Sequence, residues 1–364
     1  MSLSSERGAT IREVSASVTW DRIEPLFESL GITRVADVTR LDDIGIPVWQ
    51  AVRPCSANLS VAQGKGVDHE HARVSAAMES IELAWAERLP HDVEDVSLAK
   101  VLDGAGLSTE QLLYPAELFS SSRTIPCTRM TSLEGSATAW WPVESVCVDF
   151  RIRSRWHPPL TRMTSNGLSS GNSLEEATLH GVLELVERHV LSMARERDVD
   201  FSTPSTPEEE SLRAVLLQFE RADVRVEMAF AGSFAGASVY SARIWSDSLP
   251  HWFGGSGAHV VPRIAAIRAL TEAAQSRTTA IAGARDDIRR LVWSRTRPPT
   301  REIGFRWPDL SAPEPSNVLE CLRHVLSELR ALGIQVFRKE LSPADYPVSV
   351  VRVASPSLRF DGGH

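Results

Sequence analysis

The sequence predicts an α/β protein in which three strand–glycine loop–helix units share one central site, with a variable lobe inserted between the first unit and the second. Three observations carry this. Long helical patterns run over roughly Glu70–Arg88, Leu174–Arg195 and Pro262–Ala282. Each follows a glycine-containing stretch (Gly64-Lys65-Gly66, the segment ending at Gly171, and Gly254-Gly255-Ser256-Gly257) and, before that, a strand-like run. Each also repeats one spacing: Ala72, Glu79, Glu82; Ala177, Glu184, Glu187; Ala265, Glu272, Gln275. The first acidic residue lies seven after the alanine and the second polar residue three after that. A repeated spacing of this kind is the signature of a repeated supersecondary unit.

Along the chain, the first dozen residues read as a loose tail, and Trp20–Leu30 as an amphipathic helix that presents Ile23, Leu26, Phe27 and Leu30 and stops at Gly31. Val48–Val52 reads as a strand. Pro54 and Asn58 mark a bend, and Leu59-Ser60-Val61 leads into the first glycine loop. Residues 89–145 show turn clusters and little period, and form the expected variable lobe. Cys147–Ile152 alternates like a strand. Thr203–Glu210 is a surface loop entering a capped helix, Val224–Ala229 and Ala237–Trp245 are strands, and Arg297–Pro315 is proline-rich and irregular. A helix over Asn317–Leu332 and a strand over Val348–Ala354 complete the pattern. The organisation expected is a tail and helix at 1–30, a main domain at 31–290, and 291–364 as the C-terminal part of that same domain.

Composition narrows the function classes. With 364 residues, 43% hydrophobic and 24% charged, the chain is of ordinary globular type. Its net charge of −8 and the lack of a basic block argue against nucleic acid or an anionic membrane as a partner. Cys55, Cys127, Cys147 and Cys321 are scattered, with no CxxC pair, as in a reduced cytoplasmic protein. The N-terminus lacks the apolar run of a signal peptide, and no stretch reaches the ~18 apolar residues of a membrane span. A cytoplasmic location is therefore expected.

Residues three apart share a helix face. Glu79 and Glu82 project together, as do Glu184 and Glu187, and the surrounding helix positions are largely apolar: Val74, Ala77 and Met78 in one helix, Leu179, Val182, Leu183, Leu185 and Val186 in the other. Either these are solvated carboxylates on wet helix faces, or they are pairs that converge. Converging pairs would repel each other and be poorly solvated, and a divalent cation would relieve both penalties. Carboxylate oxygens suit Mg²⁺, which commonly also holds phosphates. The glycine stretches permit close backbone approach and helix N-termini favour anions, with Lys65 available as a point charge. No GxxxxGK[ST] is present, so this is not a P-loop.

These segments resemble the YcaO family. Gly64-Lys65-Gly66 through Ser75-Ala-Ala-Met-Glu79-Ser-Ile-Glu82 resembles its GKG and SxxxExxE signature. Ser165-Asn-Gly-Leu-Ser-Ser-Gly-Asn172 through Glu176, with Glu184-Leu-Val-Glu187-Arg188, resembles NGxxxGNxxxEA followed by ExxER. Gly255-Ser-Gly-Ala-His259 through Glu272, Gln275 and Arg277, with Gly283-Ala-Arg285-Asp-Asp287, resembles the third. The resemblance implies a YcaO-type fold and an ATP- and Mg²⁺-dependent enzyme that activates a peptide backbone amide. A nucleophile adds to the amide carbonyl, ATP phosphorylates the resulting oxyanion, and phosphate leaves. A neighbouring Cys, Ser or Thr gives an azoline, external sulfide a thioamide, and an amine an amidine.

By the same resemblance Glu79, Glu82, Glu184 and Glu187 hold Mg²⁺. Lys65, Ser75, Ser169, Asn172, Glu176 and Arg188, with Glu272, Gln275 and Arg277 from the third segment, contact the nucleotide. No catalytic base is assigned. Two departures stand out. Leu83 replaces the arginine usual after the second glutamate, and the chain ends Ser357-Leu-Arg-Phe-Asp-Gly-Gly-His364 rather than in the proline-rich tail common to azoline-forming members. With Gly31–Thr39 and Gly283–Asp287 these point to standalone members that work with a TfuA-type partner. Thioamide formation is therefore expected ahead of cyclodehydration, with a non-catalytic peptide-binding homologue as the competing class. A precursor peptide is the expected substrate, with a separate TfuA-like or leader-binding protein, and a second copy of the chain, as candidate partners.

The remaining candidates are weaker. His259 is a candidate base or substrate contact. His180, Cys147 and the pair Trp140-Trp141 read as packing or hydrogen-bonding residues, and His69 and His71 lack the further ligands that zinc needs.

Overall fold

The computed structural model describes residues 10–105, 107, 120, 123–151, 161–196, 199–285, 291, 303–307 and 315–361. The Ser15 hydroxyl caps helix α1 (Ala16–Ile23); Pro25 then diverts the chain into a 3₁₀ turn before α2 (Phe27–Leu30) ends at left-handed Gly31. The single helix expected over Trp20–Leu30 is thus split, because proline lacks the backbone donor an α-helix interior needs. Strands β1 (Arg34–Asp37), β2 (Val48–Val52) and β3 (Val61–Lys65) form an antiparallel meander, and α3 (His69–Ala86), capped by Asp68, packs on it.

Residues 89–145 contain more regular structure than their pattern suggests: β4 (Glu94–Ser97), α4 (Leu98–Ala105), β5 (Thr124–Ser132), β6 (Thr138–Pro142) and the start of α5 (Val143–Val146). Cys147–Arg151 is not a strand. Cys147 closes α5 and the Val148 amide donates to Ala86, which ties the segment to the end of α3. Ile152 lies outside the described residues. Next come β7 (Leu168–Gly171), α6 (Leu174–Arg195), β8 (Thr203–Pro204) and α7 (Glu210–Arg221). A second antiparallel meander, β9 (Arg225–Phe234), β10 (Ala237–Trp245) and β11 (Phe253–His259), leads into α8 (Pro262–Ala282). Finally β12 (Ile303–Phe305) pairs parallel with β8, and α9 (Val318–Ala331) precedes β13 (Phe337–Glu340) and β14 (Ser349–Ala354).

The first and third units are therefore the same device, a three-stranded meander whose last strand feeds a long helix. The second is assembled differently. β7 takes its neighbours from the C-terminal end of the chain, in a six-stranded sheet ordered β4-β5-β13-β14-β7 with β6 on β5. Ser349 to Arg352 of β14 register with Gly171 to Leu168 of β7.

The glycines are not loops. Gly64 lies in β3, Gly171 in β7, and Gly255 and Gly257 in β11. A side chain at Gly64, Gly171 or Gly255 would collide with backbone amides of the helix that follows, at Ala76, Ala177 and Ala273 respectively. At Gly66 an added Cβ would stand 2.6 Å from the Ala72 amide nitrogen. The repeated glycine–alanine pattern is thus a close strand–helix contact, for which only the smallest residues leave room.

The apolar faces meet in contiguous clusters. Leu179, Val182, Leu183 and Val186 of α6 pack with Val351 and Val353 of β14 and Val325 of α9. Truncating one fully buried leucine here costs about 2–5 kcal/mol. Among the described residues no helix is long and apolar enough to cross a membrane.

Candidate functional site

The carboxylates of α3 and α6 come together beside α8. Each is half-buried or buried on a helix whose other faces sit in the core, so the helix rotation that buries Ile81 and Leu83, or Leu183 and Val186, turns the glutamates inward to the shared cleft. Strand groups receive them. The Gln63 amide donates to Glu79 at 3.2 Å, the Ser170 hydroxyl to Glu82 at 2.6 Å, the Gly167 amide to Glu184 at 3.1 Å and the Ser256 hydroxyl to Glu187 at 2.7 Å. Polar groups of β3, β7 and β11, and of the turn that enters β7, thus meet the four carboxyls.

Electrostatics sets this quartet apart. Burial, helped by the charges of Glu79 and Glu184 and opposed by the Ser170 hydrogen bond, pushes Glu82 up to about 8. Burial and the neighbouring Glu187 push Glu184 up to about 7, against the attraction of Arg188. Glu79 is raised as well, again mainly by burial, with Arg285 and Lys65 opposing. Carboxylates crowded in this way favour a cation that supplies positive charge without bulk.

Cationic side chains stand beside these carboxyls, each with an acidic partner of its own. Lys65 Nζ stands 2.6 Å from Glu272. Burial disfavours the Glu272 charge, yet Lys65, Arg188 and Arg268 hold that carboxyl below its ordinary value. Arg12 reaches in from the N-terminal segment, donating to Glu176 at 2.9 Å and to His180 Nε2 at 2.6 Å. His180 Nδ1 lies 3.0 Å from the Ser170 carbonyl, which assigns the proton to that nitrogen and leaves Nε2 to accept from Arg12. Arg12 was invisible to the sequence pattern, because its segment has no period and its partners lie more than a hundred residues away.

Not every expected nucleotide contact faces the cleft. Ser169 is buried and donates to the Ala177 carbonyl at 2.8 Å; alternation along β7 points its neighbour Ser170 at Glu82 instead. Arg277 is 3% exposed and bonded to Asp42 at 3.0 Å and to the Ser246 hydroxyl at 2.7 Å, so it serves a buried structural ion pair. Asn172 is half-buried and Glu176 buried where the N-terminal helix meets the start of α6. The Asn172 amide side chain donates to Glu176 at 3.3 Å, while its carbonyl oxygen accepts from Thr19 at 3.2 Å. Arg188 lies 3.8 Å from Glu184, and Ser75 and Gln275 are half-buried, one turn from Glu79 and from Glu272 on their helices. Leu83, where the family has arginine, is packed in the core.

His259 is 4% exposed and its Nδ1 accepts from the Val261 amide at 3.0 Å. That bond puts the ring proton on Nε2, and burial together with Arg268 and Arg12 lowers its pKa to about 3. A histidine so held is a hydrogen-bond donor and a poor general base. Trp140, Trp141 and Cys147 are core residues, His71 braces its own helix cap at Asp68, and His69 sits beside Asp37 at 3.5 Å. The third motif is described as far as Arg285; Asp286 and Asp287 lie outside the described residues.

Among the described residues no three His, Cys, Asp or Glu side chains already stand close enough to hold an ion by themselves. Mg²⁺ commonly takes one or two carboxylates and completes its shell with phosphate oxygens and water. The donor set, all carboxylate with no thiolate or imidazole, fits Mg²⁺.

The comparisons agree. The family profile described as "YcaO cyclodehydratase, ATP- and Mg²⁺-binding" matches residues 63–359. An uncharacterised protein encoded in the tfuA 3′ region of Rhizobium leguminosarum bv. trifolii is 34% identical over 379 residues, covering 96% of this chain and 89% of its own length. The uncharacterised Mycobacterium tuberculosis protein Rv1375 is 38% identical over 291 residues, covering 79% of this chain and 66% of its own length, so the chain spans only about two thirds of that relative. Among solved structures, YcaO from Methanopyrus kandleri bound with AMPPCP and Mg²⁺ superposes with a TM-score of 0.75 at 24% identity, covering 96% of this chain and 93% of that one. A heterocyclase in complex with substrate and cofactor matches with a TM-score of 0.71 at 17% identity, covering 98% of this chain and 55% of that one. Three ordered motifs, two converging glutamate pairs and a profile match across most of the chain place this protein in the YcaO family.

Proposed function

We propose that this protein uses ATP and Mg²⁺ to activate a backbone amide of a ribosomally made peptide, with external sulfide as the nucleophile and a thioamide as the product. The observation that carries the ATP- and Mg²⁺-dependent part is the carboxylate quartet with cationic side chains beside it. Glu79, Glu82, Glu184 and Glu187 would hold the metal, which supplies charge neutralisation for the triphosphate. Lys65, Arg12, Arg188 and Arg268 attract the phosphates; Asn172, Glu176, Ser75, Glu272 and Gln275 line the way in. Arg12 and Thr19 would orient Glu176 and Asn172 from the N-terminal side.

Support for sulfide comes from the relative in a tfuA 3′ region. Among the described residues, His259 and His180 beside the glutamates are poor bases, and hydrosulfide, largely deprotonated near neutral pH, needs little general-base help. The described C-terminal segment runs along the outer end of α6, where the Arg359 amide donates to His189 at 3.0 Å and the Asp361 amide to Ser192 at 3.3 Å. A TfuA-type partner would deliver or activate the peptide or the sulfur.

Cyclodehydration of Cys, Ser or Thr to an azoline is the second reading, favoured by the superposition on a heterocyclase at a TM-score of 0.71. Both are tested by incubating the protein with ATP, Mg²⁺ and a peptide encoded beside its gene, with and without sulfide and the partner. Thioamidation requires sulfide and raises the peptide mass by the difference between sulfur and oxygen. Loss of one water without any sulfide source establishes cyclodehydration, and no peptide-stimulated phosphate release would favour a binding role.

A further inference from the structure

We propose that Arg352 of β14 is a positioning residue for Glu184, acting through the Thr164–Gly167 turn. The proposal rests on the reading of Glu184 as a metal-holding carboxylate. Arg352 is among the largest side chains fully enclosed by the protein, at 2% exposure, and no carboxylate lies within ion-pair distance of it among the described residues. Its guanidinium instead bonds two backbone carbonyls, with Nε donating to Ser145 at 2.9 Å and Nη2 to Thr164. Nη1 is buried with no partner.

A buried arginine without a counter-ion is costly and calls for a reason. The turn it grips supplies one. The Asn166 amide donates to the Thr164 hydroxyl at 3.2 Å, the Leu168 amide to the Ser165 carbonyl at 2.8 Å, and the Val353 amide to the Gly167 carbonyl at 2.8 Å. Gly167 adopts φ +76°, where an added Cβ would strike the Val353 carbonyl, so the turn is pressed directly onto β14. From this turn the Gly167 amide holds Glu184 at 3.1 Å. The route from Arg352 to the carboxylate is one carbonyl, one tight turn and one amide.

The test reads Mn²⁺ binding by electron paramagnetic resonance in the presence of a non-hydrolysable ATP analogue, without turnover. Arg352→Gln is expected to weaken Mn²⁺ binding by about 10–100-fold, the range seen when a residue supporting a metal ligand is lost. Arg352→Lys, which keeps the charge and a donor for Thr164, should recover part of it. In a Glu184→Gln background the Arg352 changes should add nothing, because residues acting through one another are non-additive. Parental binding in Arg352→Gln, or full additivity, overturns the proposal. Failure of both Arg352 variants to fold also overturns it and makes the residue a scaffold element only. Parental binding in Glu184→Gln alone would instead refute the metal-site reading beneath it.

Discussion

The first two units and the third share one spacing and reach opposite electrostatic outcomes. In α3 and α6 the paired glutamates face one another, and Glu82 and Glu184 rise to about 8 and about 7. In α8 the equivalent pair is Glu272 and Gln275; Lys65 of β3 stands 2.6 Å from Glu272 and helps hold it below its ordinary value. The backbone device is the same, with a glycine-bearing strand pressed on a helix. The charge design differs: two units crowd buried carboxyls whose ionised form is disfavoured, and the third holds its carboxylate ionised against a lysine. A repeat can thus preserve geometry while one copy exchanges a carboxyl pair for a glutamate–glutamine pair bonded to a lysine.

The sharpest way to break this comparison is to neutralise one carboxylate in each class. Glu184→Gln or Glu187→Gln should lower ATP turnover by roughly 100-fold or more, since a lost metal interaction of several kcal/mol corresponds to that factor. Glu272→Gln should act mainly on the KM for ATP, by about 10-fold, because it removes the partner of Lys65 rather than a metal-holding carboxylate. Phosphate release with circular dichroism as the folding control checks both. Equal losses in the two classes would erase the distinction.

The shared backbone device is tested by Gly64→Ala and Gly255→Ala. Each places a Cβ against a helix backbone that cannot rotate aside, so each should cost at least the roughly 3 kcal/mol at the upper end of ordinary overpacking. Chemical denaturation measures it, and similar values in the two units would confirm the common geometry.

A smaller effect follows from the raised carboxyls. Glu82 and Glu184 sit above their ordinary value of 4.5 in the fold, so their contribution is fully present below about pH 4.5 and is lost as pH rises through about 7 to 8. The ligand-free protein should show a Tm that falls between about pH 5 and pH 8 from this source, and Mg²⁺ with a non-hydrolysable ATP analogue should flatten the slope. A ligand-free Tm that is flat or rising between about pH 6.5 and pH 8, above the range where the lowered His180 and His259 contribute the opposite slope, contradicts it. The smallest effect lies outside the three units, where Gly104 in α4 has nothing within 4 Å of an added Cβ. Gly104→Ala should stabilise by about 0.5–1 kcal/mol in the same denaturation assay.

Much of this was legible in the chain. Leu174–Arg195 and Pro262–Ala282 are helices over the expected residues, because apolar spacing, caps and a terminal glycine agree locally. Spacing put each glutamate pair on one helix face but left open whether the pairs converge, which only the resemblance of the motifs implied. What was not legible depends on distant partners. The glycines read as loops because close strand–helix approach leaves no mark distinguishable from a turn. β13 and β5 lacked a clean period, yet they pair with each other across some two hundred residues at Phe337 and Ser132. Arg277 carried a motif position, but its side chain is claimed by Asp42, and Arg12 and Arg352 carried none while standing next to the site.

The most direct test of the central claim is the stoichiometry of Mn²⁺ bound with a non-hydrolysable ATP analogue, read by electron paramagnetic resonance for the parent, Glu79→Gln/Glu184→Gln and Glu272→Gln. Nucleotide-dependent Mn²⁺ is expected in the parent, with its loss in the double variant and its retention in Glu272→Gln. Undiminished Mn²⁺ in a folded double variant would show that the converging glutamates of α3 and α6 do not hold the metal.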